Sequence, residues 1–190
     1  MKKNLLIAVL MTIVTTILLG IIYPLVVTGL AQVFFKDKAN GQLIVRNGQV
    51  VGSRIIGQAF TGPSYFHSRP SNAGTGYDAT NSNGSQLGPT NHALIDRVKA
   101  DVATNQADNP GQLVPVDLVT SSASGLDPDI TPAAAEFQIA RVAKERGTSP
   151  DQIKQLIEQH TQPRQFGFLG EPRVNVLELN LDLDAKFPRK

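Results

Sequence analysis

The chain has 190 residues, with 18 Lys and Arg against 16 Asp and Glu and a formal net charge of +2; its pI is near 9.0. The excess sits at one tip, because Lys2 and Lys3 are the only charges before Lys36, and residues 36–190 carry 16 bases and 16 acids. This excludes a basic nucleic-acid-binding or polybasic lipid-binding domain. The absence of cysteine excludes a disulfide framework, a thiol nucleophile and a cysteine-based zinc site.

Residues 4–35 contain no charge, and residues 5–29 read LLIAVLMTIVTTILLGIIYPLVVTG. About 20 apolar residues cross the roughly 30 Å hydrocarbon core as a helix. A transmembrane helix is therefore expected over 5–35. A cleaved signal peptide has an apolar stretch of only about 7–15 residues, shorter than this run. Thr12, Thr15 and Thr16 can bond back to carbonyls one turn earlier. Thr12, Thr16 and Gly20 form a small-residue stripe suited to packing on partner helices. Pro24 is expected to kink the helix or mark its approach to the far interface. Lys2 and Lys3 favour a cytoplasmic tip at 1–4 and an extracytoplasmic body at 36–190 by the positive-inside rule.

The body is long enough for one core. Asn47-Gly48 between apolar pairs predicts a hairpin. Residues 61–91 are dense in Gly, Pro, Asn and Ser, yet hold Tyr65, Phe66, His67, Arg69 and Tyr77, which points to an ordered binding loop. Leu94, Ile95, Val98 and Val102 predict a helix over 91–105. A second helix starts at Thr131-Pro132 and ends at Gly147, and a third starts from a Ser149–Gln152 capping box. Near the C-terminus, Leu177, Leu179, Leu181 and Leu183 alternate with polar residues. Strand period is preferred for 173–184, with a helix as the alternative. The fold class is α+β: one N-terminal transmembrane helix followed by one mixed extracytoplasmic domain.

The three histidines, His67, His92 and His160, lack metal-ligand spacing, so no metal site is expected. Ser121, Ser122 and Ser124 sit outside any nucleophile elbow. Asp117, Asp127 and Asp129 fit caps and turns. No Walker A or Asp-Lys-Thr-Gly sequence occurs, so ATP hydrolysis by this chain is not expected. A membrane-anchored extracytoplasmic hydrolase or binding protein is the alternative function class.

After the single span come YFHSRPS (65–71), GSQLGPTN (84–91), DLVTSSASGLDPDITPAAA (117–135) and GEPRVNVLELN (170–180). In this order and spacing the chain resembles the C subunit of the Kdp potassium-transporting ATPase over essentially its whole length. It departs from the common pattern at Gln86 and Thr131. The resemblance implies a non-catalytic accessory subunit in a bacterial plasma membrane. Its partners would be a channel-like potassium-binding subunit, a P-type ATPase subunit and membrane lipid. ATP and potassium would act on the complex, with no cofactor held by this chain. The family is described as a catalytic chaperone that raises the ATP affinity of the ATPase subunit, yet the charge reading places the body across the membrane from ATP. A docking role is therefore expected. The contact residues would be Tyr65, Phe66, His67, Arg69, Gln86, Asp117, Asp127, Asp129 and Arg173. Core packing is the competing role for Tyr65 and Phe66, and structural ion pairing for Arg69 and Arg173.

Overall fold

The computed structural model describes residues 1–189. It divides into two compact units, Met1–Ile44 and Val45–Lys190.

The first unit is built on one continuous helical run, Lys2–Phe34, of 33 residues with none of its most apolar window buried. At 1.5 Å per residue it is about 50 Å long, more than the hydrocarbon core requires. Helix α1 (Lys2–Ile17) passes through a π turn (Leu18–Ile22) into α2 (Tyr23–Phe34). The π turn has a local cause. Pro24 has no N–H, and its ring crowds the carbonyl four residues back. The backbone widens just before it, so that the Tyr23 N–H donates to the Leu18 carbonyl. The helix then continues ten residues past Pro24 to Phe34. Thr12 and Thr15 donate to the Ala8 and Met11 carbonyls at 2.9 and 2.8 Å. A short helix α3 (Lys36–Ala39) follows.

Strands β1 (Leu43–Arg46) and β2 (Gln49–Ser53) pair as the expected hairpin. Asn47 and Gly48 both take positive φ, 52° and 76°, which a type I′ turn requires.

In the second unit, residues 54–91 contain no helix or strand. Helix α4 (His92–Asp108) is capped by Asn91, whose side chain accepts the Ala93 N–H at 2.9 Å. No residue of α4 is fully buried, and Leu94, Ile95, Val98 and Val102 are half-buried. A 3-10 turn (Val116–Leu118) leads to β3 (Asp129–Ile130). The expected second helix is two, α5 (Pro132–Phe137) and α6 (Ile139–Arg146), interrupted at Gln138. Thr131 caps the first, and left-handed Gly147 ends the second at φ 63°. Helix α7 (Pro150–His160) starts from a complete capping box between Ser149 and Gln152. Strands β4 (Thr161–Gln162) and β5 (Arg173–Asn175) make an antiparallel sheet with β3 in the order β3-β5-β4. Val174 at its centre faces Ile130 on one side and Thr161 on the other.

The preferred strand over 173–184 is corrected by the structure. Only Arg173–Asn175 is extended, and helix α8 occupies Val176–Lys186. Asn175 starts it, its side-chain oxygen accepting the Glu178 N–H at 3.1 Å. The residues of α8 that enter the core most deeply are Val176, Leu179, Asn180 and Leu183, a helical spacing. One of the four is an amide, which hides that spacing and leaves the leucine alternation as the visible pattern. The core is completed by Phe66, Ile130, Val142, Ile153, Leu156, Ile157 and Val174.

Candidate functional site

The start of the irregular segment 61–91 is held by side chains from two helices, α6 and α8, and from Gln138 between α5 and α6. Asn180 of α8 accepts the Phe66 N–H and donates to the Phe66 carbonyl, both at 2.9 Å. Gln138 accepts the His67 N–H at 2.7 Å and donates to the His67 carbonyl at 3.1 Å. Two buried amides thus treat two successive loop residues as a neighbouring strand would, pairing both backbone groups of each. Arg141 of α6 donates to the Tyr65 carbonyl at 2.9 Å. Arg146, its side chain wholly buried, donates to the Ser64 carbonyl at 2.8 Å and pairs with Asp184 at 2.8 Å. Its guanidinium also lies 4.9 Å from the centre of the Tyr65 ring. Tyr65 in turn donates its hydroxyl to Asp184 at 2.9 Å.

A second set of bonds joins this loop to residues 117–131. Ser71 donates to the Gly125 carbonyl at 2.6 Å, and the Asn83 N–H donates to the Ser124 carbonyl at 2.9 Å. Gly125 has φ 67°, and a Cβ there would lie 2.6 Å from the Asn83 carbonyl oxygen. Only glycine suits this crossing. Tyr77 donates its hydroxyl to the Arg69 carbonyl.

The sequence candidates separate into three groups. Arg69, Asp117, Asp127, Asp129 and Arg173 converge on one cleft of about 280 Å³, together with Glu171. Arg69 pairs with Asp127 at 3.0 Å, and Arg173 with Asp129 at 3.2 Å. Burial pushes the Asp129 carboxyl up, opposed by the Asn175 hydrogen bond and the Arg173 charge. Asp117 is buried and accepts the Thr131 N–H at 2.8 Å, so it fixes the start of α5. Gln86 lies elsewhere, at positive φ 53°. It lines a polar cleft of about 410 Å³ formed by residues 82–86 and 121–123, where two of the four family-like blocks face each other. Tyr65, Phe66 and His67 belong to neither cleft.

Phe66 needs correction as a contact residue. It is 0% exposed and part of the core, so its ring is not available to a partner. His67 is partly buried, with Nε2 3.0 Å from the Gly62 carbonyl. Burial, aided by the nearby Arg141 charge, pushes its pKa down, so the neutral ring donates to that carbonyl. His160 bonds Asp182 at 2.9 Å. Ser124 serves the backbone: its hydroxyl accepts the Leu126 N–H at 3.1 Å and lies 3.3 Å from that of Ser122. Among the described residues no cluster of acids and histidines could hold a metal ion.

Sequence reasoning missed Asn180, Gln138, Arg141 and Arg146, the residues that shape the loop. The available signal was a polar residue at a core register: Asn180 lies between Leu179 and Leu183, and Gln138 between Phe137 and Ile139.

Compared with known proteins, the family described as K+-transporting ATPase, c chain, matches residues 5–185. The chain belongs to this family. A potassium-transporting ATPase KdpC subunit of Koribacter versatilis (strain Ellin345) is 69% identical over 188 residues, covering 99% of this chain and 97% of the relative. That of Acidobacterium capsulatum is 60% identical over 177 residues, covering 93% and 95%. That of Rhodospirillum rubrum is 58% identical over 175 residues, covering 91% of each. The match spans the apolar helix, the clamped loop and both clefts, so c-chain membership applies to both units.

Proposed function

We propose that this chain is a non-catalytic accessory subunit of an ATP-driven potassium importer, and that its role is docking. Its apolar helix anchors it in the bacterial plasma membrane with residues 1–4 in the cytoplasm. Residues 36–190 lie outside and bind the channel-like potassium-binding subunit. The carrying observation is the state of residues 61–91: a loop clamped on successive carbonyls and N–H groups by Asn180, Gln138, Arg141 and Arg146. Such a surface is preorganised, which lowers the cost of association. The Arg69–Asp127 and Arg173–Asp129 pairs then present a fixed charge pattern to the partner.

Potassium and ATP act on the complex rather than on this chain. The catalytic-chaperone effect is indirect, carried by the span and by the stability of the assembled complex, because a domain outside the membrane cannot touch nucleotide inside. The docking surface omits Phe66, so a Tyr65/Phe66→Ala pair would report core loss instead of undocking. Arg69→Glu, which reverses one charge in an accessible cleft, is the cleaner test. It is expected to reduce retention of this chain when the channel-like and P-type ATPase subunits are purified; unchanged retention would remove the charged cleft from the interface. A reporter fused after the C-terminus is expected to be active only outside the cytoplasm. Activity inside would restore direct nucleotide contact.

A further inference from the structure

Helix α8 ends at Lys186, and the segment after it, Phe187–Arg189, meets the start of the clamped loop. Phe187 is half-buried against the core, and its N–H donates to the Leu183 carbonyl at 2.8 Å. Its own carbonyl accepts from Arg146 at 3.0 Å. The same buried guanidinium holds the Ser64 carbonyl and Asp184, so one cation ties together the loop, α8 and the segment after it. Tyr65 completes the connection. Its hydroxyl donates to Asp184, and its ring takes a second guanidinium, that of Arg189, 5.0 Å from the ring centre. The core contribution of α8 is complete at Leu183, which is fully buried, whereas Pro188 and Arg189 are exposed. The contacts of Arg189 therefore go to the loop and not to the core.

We infer that Phe187–Arg189 is a latch: it fixes Arg146 and Tyr65 in the positions that keep residues 64–67 ordered for docking. The inference rests on the docking reading above and adds a device that controls it. Two physical reasons support it. Without the Phe187 carbonyl, a wholly buried guanidinium loses one of its acceptors, and a buried charge that lacks partners moves toward water. Such a movement pulls on the Ser64 carbonyl and vacates the face of Tyr65. Arg189 acts from the other end, by holding the Tyr65 ring beside a cation while Asp184 holds its hydroxyl. Residues with few buried contacts open at low free energy. The exposed Pro188 and Arg189 can thus leave while the core stays folded, and the loop then loosens by itself.

The test is amide hydrogen exchange on the whole chain in detergent, together with retention of the chain by co-expressed channel-like and P-type ATPase subunits. Deletion of residues 187–190 is expected to speed exchange at Tyr65, Phe66 and His67 at least about tenfold. Arg189→Ala, which removes no core contact, should speed it about threefold, and Arg189→Lys should restore most of the protection, because an ammonium also binds an aromatic face. The amides of α7 at Ile153, Leu156 and Ile157 should not change in either Arg189 variant. Equal acceleration in α7 and in the loop of Arg189→Ala would mean general destabilisation and would overturn the latch, as would unchanged loop exchange in that variant. Retention is expected to fall in the same order as protection. A loosened loop with unchanged retention would keep the latch and remove residues 64–67 from the docking surface, so the two readings fail separately.

Discussion

The two units of this chain are ordered by opposite means. Lys2–Phe34 has no buried residue and owes its helix to its own backbone. Its apolar side chains are exposed along its whole length, a surface of the kind that suits lipid. In the second unit much of the chain between β2 and β3 has no repeating backbone pattern, yet it is held in place. There the ordering partners are distant in sequence: Asn180 reaches Phe66 across 114 positions, and Gln138 reaches His67 across 71. Where backbone groups cannot pair with each other, side-chain amides and guanidiniums must satisfy them. A local code suffices for the helix, while the loop needs the whole fold.

The largest expected effect comes from removing one of these clamps. Asn180→Leu matches the apolar α8 surface but strands the Phe66 N–H and carbonyl in the core. A loss of about 2–6 kcal/mol is expected, since each of the two buried orphans costs about 1–3. Denaturant unfolding of the whole chain in detergent measures it; a neutral outcome would mean that the loop is ordered locally, like the helix. Next in size, Val14→Arg at the middle of the span should disfavour insertion by about 3 kcal/mol, read as the fraction of chains integrated in membranes. Folding of the second unit, followed by protease resistance, should not change.

Ser149→Ala removes the α7 capping box and should cost about 1 kcal/mol; a loss similar to that of Asn180→Leu would erase the contrast between local and distant order. The smallest effect is a pH dependence. His67 is half-buried, with a folded pKa below its unfolded value. Its contribution is complete above the ordinary imidazole pKa of about 6.5 and is lost as pH falls from there through the lowered folded value, because the unfolded chain binds the proton first. His67→Gln should flatten this part of the stability profile.

Legibility in the sequence follows the same division. The uncharged run, the Asn47-Gly48 hairpin, the Asn91, Thr131 and Ser149 caps and the Gly147 stop are all written in neighbouring residues. The expectation failed over 176–184, where Asn180 interrupts the apolar helical stripe and the leucine alternation imitates a strand. It failed again at Phe66, whose polar surroundings in YFHSRPS suggest a surface while its ring fills the core. The cleft was half legible. Arg69, Asp127, Asp129 and Arg173 stood out as chemistry-bearing residues, but the Arg173–Asp129 pair depends on β5 lying beside β3 and the Arg69–Asp127 pair on a contact across 58 positions. The exposure of Phe166 and Phe168 between β4 and β5 carried no warning, because apolar residues in a loop look the same whether they point inward or out.

The sequence by itself therefore determined the long apolar helix, the placement of excess charge at one tip and the ends of most helices, since each depends on contacts within a few residues. Its four blocks also sufficed to suggest the family. Only the tertiary structure decided which polar residues are internal partners and which apolar ones are left outside. That choice depends on satisfying every buried backbone group at once, and the groups concerned are brought together by folding.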